Sequence, residues 1–276
     1  MSGEAAVAEV EANGVRLHYA VAGEGPPLVF VHGMCGRGTV WDGQVERLSD
    51  DYTCVTYDRR GHGSSGDADV AHSVELHGDD LAALVDRLAL GPVLVVGSSG
   101  GARVGLDVVL RHPDRLVGAV LSEPPVFSLD PERAREFLGR VVPAVQPRLD
   151  AGDLPGAVDA FFEVVCPGLW RLLDDAGKEP YRRSGPMLVA DLAQPPYSVT
   201  ADDLAAVRLP VLAVLGTESD PFLQSTARVI AGSVPSGGLL ELSHSGHVTY
   251  AEAPDAFAGA VREFADRVGH RSPREV

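Results

Sequence analysis

An α/β fold with a mainly parallel central sheet is the class this sequence predicts. Three observations carry the prediction. Short continuous apolar runs, such as Leu28-Val29-Phe30-Val31 and Val93-Leu94-Val95-Val96, have the character of strands buried on both faces. Segments with helical spacing alternate with those runs. The residues with the most chemical character, His32, Asp58, Ser99, Glu123, the stretch Thr217 to Asp220, and His247, all fall at or just beyond the ends of apolar runs. Ligands of such sheets bind outside the carboxyl ends of the strands, so one edge of the sheet is expected to carry the site.

Taken in order, residues 7–21 hold two alternating runs around Asn13-Gly14, a strong hairpin signal. A strand over 27–32 ends at His32-Gly33-Met34-Cys35-Gly36. Helical spacing follows over 41–48, and a strand over 52–57 ends at Asp58-Arg59-Arg60-Gly61-His62-Gly63-Ser64-Ser65. Residues 74–88 form an amphipathic helix with Leu76, Leu81, Leu84, Val85 and Leu88 near one face, stopped by Gly91-Pro92. After the run 92–96 comes Gly97-Ser98-Ser99-Gly100-Gly101, then a helix over 102–110 and a strand over 116–121 leading into Glu123-Pro124-Pro125. From residue 126 to about 204 only helical pieces are legible (131–142, 155–165, 188–192), broken by Pro, Gly and acids. This predicts a helical insertion, with 1–125 and 205–276 as the core. Strand and helix alternation resumes at 210–216, with a helix from Pro221, a strand over 239–242, a loop at 244–247 and a helix over 254–268.

With 276 residues, 45% of them apolar, the chain can bury a full α/β core and accommodate an inserted subdomain. Its formal charge of −16 argues against nucleic acid and anionic membranes as partners. Three cysteines, Cys35, Cys54 and Cys166, without C-x-x-C spacing, predict neither a disulfide framework nor a zinc site. No metal and no cofactor are expected. Residues 1–11 lack the basic-then-apolar run of a signal peptide, and no apolar stretch is long enough to span a bilayer. A cytoplasmic monomer or homodimer is the expectation.

Gly-x-Ser-x-Gly between a strand and a helix is the pattern of a nucleophile elbow. Such a turn is sharp, so its flanking positions must be small, and Ser99 alone of the two serines has glycines at both of them. Its hydroxyl would project at a helix amino end, where backbone N–H groups favour developing negative charge. A serine hydroxyl needs a base within hydrogen-bond reach, and the base an orienting acid.

These motifs together resemble the α/β-hydrolase superfamily over nearly the whole chain. His32-Gly33 resembles its oxyanion loop, residues 58–65 its D-x-R-G-x-G-x-S turn, Ser99 its nucleophile, and Gly246-His247 with Glu252-x-Pro254-x-x-Phe257 its histidine and following helix. The resemblance implies the α/β-hydrolase fold, a mostly parallel sheet flanked by helices, with residues 126–204 as a helical cap inserted after the sixth strand. It implies Ser99 as nucleophile and His247 as base. His62, His72, His77 and His112 are expected in turns or on solvated faces, and His32 as a local brace of its loop. Two carboxylates compete for the acid. Asp220 lies near the usual family position, one residue later than the commonest spacing, where Ser219 stands. Glu123 lies just after the sixth strand, where a subgroup including zearalenone lactone hydrolases has its Glu. Glu123 is preferred because it follows the very next strand after Ser99; the other reading of Asp220 is a helix N-cap before Pro221.

The resemblance further implies an oxyanion hole from backbone N–H groups of Gly100 and of Gly33 or Met34. Cys35 is read as a bystander, and Asp58 and Arg59 as braces. Met34, Phe127, Phe161, Trp170 and Met187 are the candidates for substrate contact, with Phe161 and Phe162 expected to split between core and cleft. The expected activity is hydrolysis of a carboxylic ester or lactone of an apolar small molecule. Carbon–carbon bond hydrolysis, perhydrolysis or a non-hydrolytic biosynthetic step on the same residues is the alternative, and a receptor-like binding protein a further one.

Overall fold

A computed structural model of the chain describes residues 6–67 and 70–271. The expectations for residues 1–5 and for the polar tail from 272 lie outside the described residues. The first half comprises β1 (Ala6–Ala12), β2 (Val15–Ala22), β3 (Pro27–Val31), α1 (Asp42–Leu48), β4 (Thr53–Tyr57), α2 (Val74–Arg87), β5 (Val93–Ser98), α3 (Gly100–Arg111) and β6 (Leu116–Ser122). Five helices follow without a strand: α4 (Pro131–Asp150), α5 (Leu154–Val165), α6 (Pro167–Leu172), α7 (Asp175–Arg182) and α8 (Gly185–Leu192). The chain closes with α9 (Ala201–Ala205), β7 (Val211–Gly216), α10 (Pro221–Ser233), β8 (Gly237–Leu242), α11 (Thr249–Glu252) and α12 (Pro254–Arg267).

The eight strands form one sheet in the order β1-β2-β4-β3-β5-β6-β7-β8. Only the β1–β2 and β2–β4 pairs are antiparallel. The hairpin turn places Asn13 and Gly14 at φ 48° and 71°, the left-handed conformation that Asn-Gly adopts most readily. Side chains alternate across the sheet as strand geometry requires. Leu28 and Phe30 of β3 pack with Trp41, Leu48, Phe257 and Phe264 on the face covered by α1 and α12. Val29 and Val31 pack with Leu81, Leu84, Leu106 and Ile230 on the face covered by α2, α3 and α10. Every residue of β5 is buried, which explains why it reads as an uninterrupted apolar run.

The helices over 131–192 enclose a third apolar cluster, in which Phe137, Val141, Phe161, Trp170 and Leu188 pack with Phe222 and Leu223 of α10 and with Cys35. Two of these helices, α6 and α7, fall where no helical piece was expected, and α4 outruns its expected end at 142. Helix α4 continues through Pro143 and Pro147 to Asp150. Both prolines lie on its exposed face, so the carbonyls that lose their N–H partners face water rather than apolar core.

The turn around Ser99 depends on close backbone approach. A Cβ on Gly101 would lie 2.1 Å from the Val31 carbonyl oxygen and 2.6 Å from that of His32; one on Gly97 would lie 2.6 Å from the Gly101 carbonyl oxygen. Ser99 takes φ 55° and ψ −123°, a strained conformation for a residue with a side chain. Gly101→Ala must therefore push α3 off β3, and we expect it to lower stability by about 1–3 kcal/mol, the usual range for overpacking. Urea denaturation measures this; an unchanged midpoint would show that the turn tolerates a wider spacing.

Candidate active site

Ser99 follows the end of β5, its N–H donating to the Ser122 carbonyl at 2.8 Å. Glu123 follows β6, its N–H donating to the Val214 carbonyl at 3.0 Å. Like Ser99, it has positive φ, 47°. This aims its carboxylate across the end of β7 instead of along its own strand. There the fully buried carboxylate accepts the Gly216 N–H on Oε1 at 2.8 Å. Its Oε2 accepts the Ser219 hydroxyl at 2.6 Å and pairs with His247 Nδ1 at 2.6 Å. A Cβ on Gly216 would lie 2.2 Å from the Gly246 carbonyl oxygen, so glycine there lets the His247 loop settle against β7. Glu252 holds the same loop by accepting the Gly246 N–H.

The other candidate carboxylate is engaged elsewhere. Asp220 caps α10, accepting the Phe222 N–H at 2.9 Å, and pairs with Arg140. Of the two acids considered from the sequence, Glu123 is the one that reaches His247. Ser219, at the commonest family spacing, bonds to that carboxylate.

Ser99 and His247 open onto one narrow cleft. Gly33, Met34, Phe161 and Trp170 also line it. Phe127 and Met187 do not. Phe127 stacks on Phe222 with ring centroids 5.3 Å apart, where it fills the seam between the inserted helices and α10. Met187 faces a separate cavity with His18, Asp58 and Gly61, because α8 is turned toward the residue 58–65 loop. Phe161 and Phe162 do not split; both border the cleft, edge to face, and Phe162 stacks on Trp170. Tyr181 and Tyr250 complete the aromatic wall. Tyr250 was not among the residues singled out from the sequence.

Beside the cleft, the loop after β3 passes close to Ser99. A Cβ on Gly33 would lie 3.1 Å from Ser99 Cβ, and one on Gly100 3.5 Å from the Met34 nitrogen. Cys35 is buried, and burial pushes its thiol far up from the ordinary 9.0, so it is not a thiolate nucleophile.

His62 lies in a turn, as expected, whereas His77 lies within α2. Both, with His72, are buried rather than solvated, beneath α8. Its Asp191, absent from the sequence-based candidates, pairs with Arg59 at 3.1 Å and approaches His62 Nε2 at 3.3 Å. Burial opposes ionisation of Asp191, yet Arg59 and the neighbouring imidazoles hold it well below the ordinary 3.8. His72, His77 and Asp191 offer ligand atoms within 4.8 Å of one another, the one such group found among the described residues. The Arg59 guanidinium already neutralises that carboxylate and opposes a second cation there. No helix among the described residues is long and apolar enough to cross a membrane.

The sequence profile of the Alpha/beta hydrolase family matches residues 28–260, and the chain belongs to that family. It is 30% identical over 269 residues to a Mycobacterium tuberculosis protein named "Putative non-heme bromoperoxidase BpoC", covering 91% of this chain and 97% of that one. A 118-residue match, 39% identical, to the uncharacterized hydrolase YraK of Bacillus subtilis spans 42% of this chain and 44% of YraK. Among solved structures, Est816, described as an N-acyl homoserine lactone degrading enzyme, superposes with a TM-score of 0.72 at 25% identity, covering 93% of this chain and 100% of Est816.

Burial, followed by the Arg59 charge, lowers the pKa of His32, His62 and His77 below the ordinary 6.5. Each stays neutral in the fold where the unfolded chain would take up a proton. Their contribution to stability is complete above 6.5 and declines as pH falls below it. The melting temperature is therefore expected to drop between pH 7 and 5. A rise over that interval, in thermal melts at constant ionic strength, would contradict this assignment.

Proposed function

We propose that this protein is a serine hydrolase that cleaves carboxylic esters or lactones of apolar small molecules through Ser99, His247 and Glu123. The observation that carries this is the 2.6 Å contact of His247 Nδ1 with the buried Glu123 carboxylate, beside a cleft that His247 shares with Ser99. An anionic partner on Nδ1 fixes the tautomer, leaving Nε2 free to accept a proton, and stabilises the imidazolium that follows.

Ser99 Oγ attacks the ester carbonyl as its proton passes to His247. The oxyanion takes hydrogen bonds from the backbone N–H groups of Gly100 and Met34. His247 gives the proton to the leaving alkoxide oxygen, and the C–O bond breaks. Water, deprotonated by His247, then cleaves the acyl-enzyme and returns Ser99. The aromatic and aliphatic lining of the cleft favours an uncharged apolar group on the substrate. Residues 126–204 act as the cap that supplies most of this lining, over a core of 1–125 and 205–276. Perhydrolysis is a second reading, favoured by the similarity to BpoC: peroxide in place of water would release a peracid from the same acyl-enzyme.

With p-nitrophenyl butyrate, Ser99→Ala is expected to lower kcat by about 10⁴-fold or more. A serine-directed fluorophosphonate should label Ser99. Undiminished turnover in Ser99→Ala, or a label elsewhere, would sink the reading. Glu123→Ala should lower kcat by roughly 10²- to 10⁴-fold. Asp220→Ala should cost about 1 kcal/mol of stability as a lost cap while leaving kcat near wild type. The reverse order of the two losses would move the acid to Asp220. Peracid formation from acetate and hydrogen peroxide, compared with ester turnover, separates the two chemistries.

A further inference from the structure

The Arg59 side chain is 2% exposed and lies between the inserted helices and the loop after β3. Its Nη2, with two hydrogens to share, lies 3.1 Å from Asp191 Oδ2, 3.2 Å from the Gly33 carbonyl oxygen and 3.1 Å from His62 Nε2. The Gly33 carbonyl is held from two further directions, by His32 Nδ1 at 2.8 Å and by the Gly36 N–H at 3.3 Å. His32 can only donate from Nδ1, because its Nε2 accepts the Arg59 backbone N–H at 2.9 Å. The carbonyl oxygen is thus approached by three donors, the Arg59 guanidinium among them.

That carbonyl belongs to the peptide joining Gly33 to Met34. The peptide is planar and trans, so its N–H points opposite to its C=O. Holding the Gly33 oxygen toward Arg59 turns the Met34 N–H away from Arg59, and Met34 nitrogen is the atom that approaches Gly100. Asp191 stands at the far end of this chain of contacts, on α8. Its second oxygen accepts the Gln194 amide at 2.7 Å, and Gln194 accepts from Arg103 of α3 at 3.3 Å.

We infer that Arg59 and Asp191 are positioning residues for the oxyanion hole, with the inserted helices setting the direction of the Met34 N–H through the Arg59 guanidinium and the Gly33 carbonyl. The inference rests on the ester-cleaving reading above. Docking of α8 and assembly of the oxyanion hole are then one event: without Asp191, the buried guanidinium loses its counter-charge and the Gly33–Met34 peptide loses a restraint on its plane. Neither side chain touches substrate.

Asp191→Asn keeps the volume of the side chain and removes its charge. Arg59→Met with Asp191→Leu removes both charges together, a replacement that buried ion pairs tolerate well, and keeps the test open if the single variant folds poorly. Active sites are counted by labelling Ser99 to completion with a fluorophosphonate. Per labelled site, both variants should lose kcat on p-nitrophenyl butyrate by about tenfold or more, a fraction of the loss from deleting an oxyanion donor, with KM little changed. Affinity for a trifluoromethyl ketone, whose adduct carries the oxyanion, should fall by the same factor. A purely structural role would lower the melting temperature while leaving kcat per site and ketone affinity as in the wild type, and that result overturns the inference. Absence of turnover and of Ser99 labelling in the wild-type protein would instead overturn the reading on which it rests.

Discussion

The buried carboxylate of Glu123 is the contact on which the geometry of the site depends. It is inaccessible to solvent and joins three pieces of chain: the end of β7 through the Gly216 N–H, the segment before α10 through Ser219, and the loop after β8 through His247. An ionised carboxylate inside a protein is costly unless its oxygens are occupied by donors. Here two donors and an imidazole meet that requirement, and the same contacts that satisfy the charge hold His247 in place. Removing any of the three segments would leave a buried charge short of partners, so placement of the histidine and satisfaction of the carboxylate are one constraint.

A second constraint is steric. Ser99 and Glu123 both sit at positive φ at the ends of adjacent parallel strands. Each turns its side chain out of the strand direction while its N–H still bonds to the neighbouring strand's carbonyl. Glycines stand where backbones must nearly touch: Gly101 against β3 and Gly216 against the His247 loop. Strain at Ser99 and Glu123 is thereby held by a sheet whose central strands are buried on both faces.

The inserted helices also have a double character. Their apolar side packs with Cys35 and α10 and supplies aromatic lining to the cleft. Their polar anchor, Asp191, reaches past the cleft to Arg59, beneath the loop after β3. That pairing buries a cluster of histidines and gives this part of the molecule its expected sensitivity to acid.

The sequence by itself determined the order of the strands and of the core helices α1, α2, α3, α10 and α12, the turn at Ser99 and the loop carrying His247, but not the short helices α6, α7, α9 and α11. These are written in local patterns: continuous apolar runs for buried strands, obligatory glycines at the sharp turn, Ser-Gly-His before the last amphipathic helix. It narrowed the acid to Glu123 and Asp220, which both follow strands ending on the same edge, and favoured Glu123 only by the adjacency of its strand to that of Ser99. Only the tertiary structure decided between their positions, because the outcome turns on one left-handed dihedral at Glu123 and on Arg140 and the α10 N-terminus occupying Asp220. The same holds for Phe127 and Met187, whose apolar character is compatible with core, seam or cleft until the helices are docked. Arg59 and Asp191 stand 132 residues apart, and no local pattern encodes a pairing at that distance; it exists only once α8 is packed over the residue 58–65 loop.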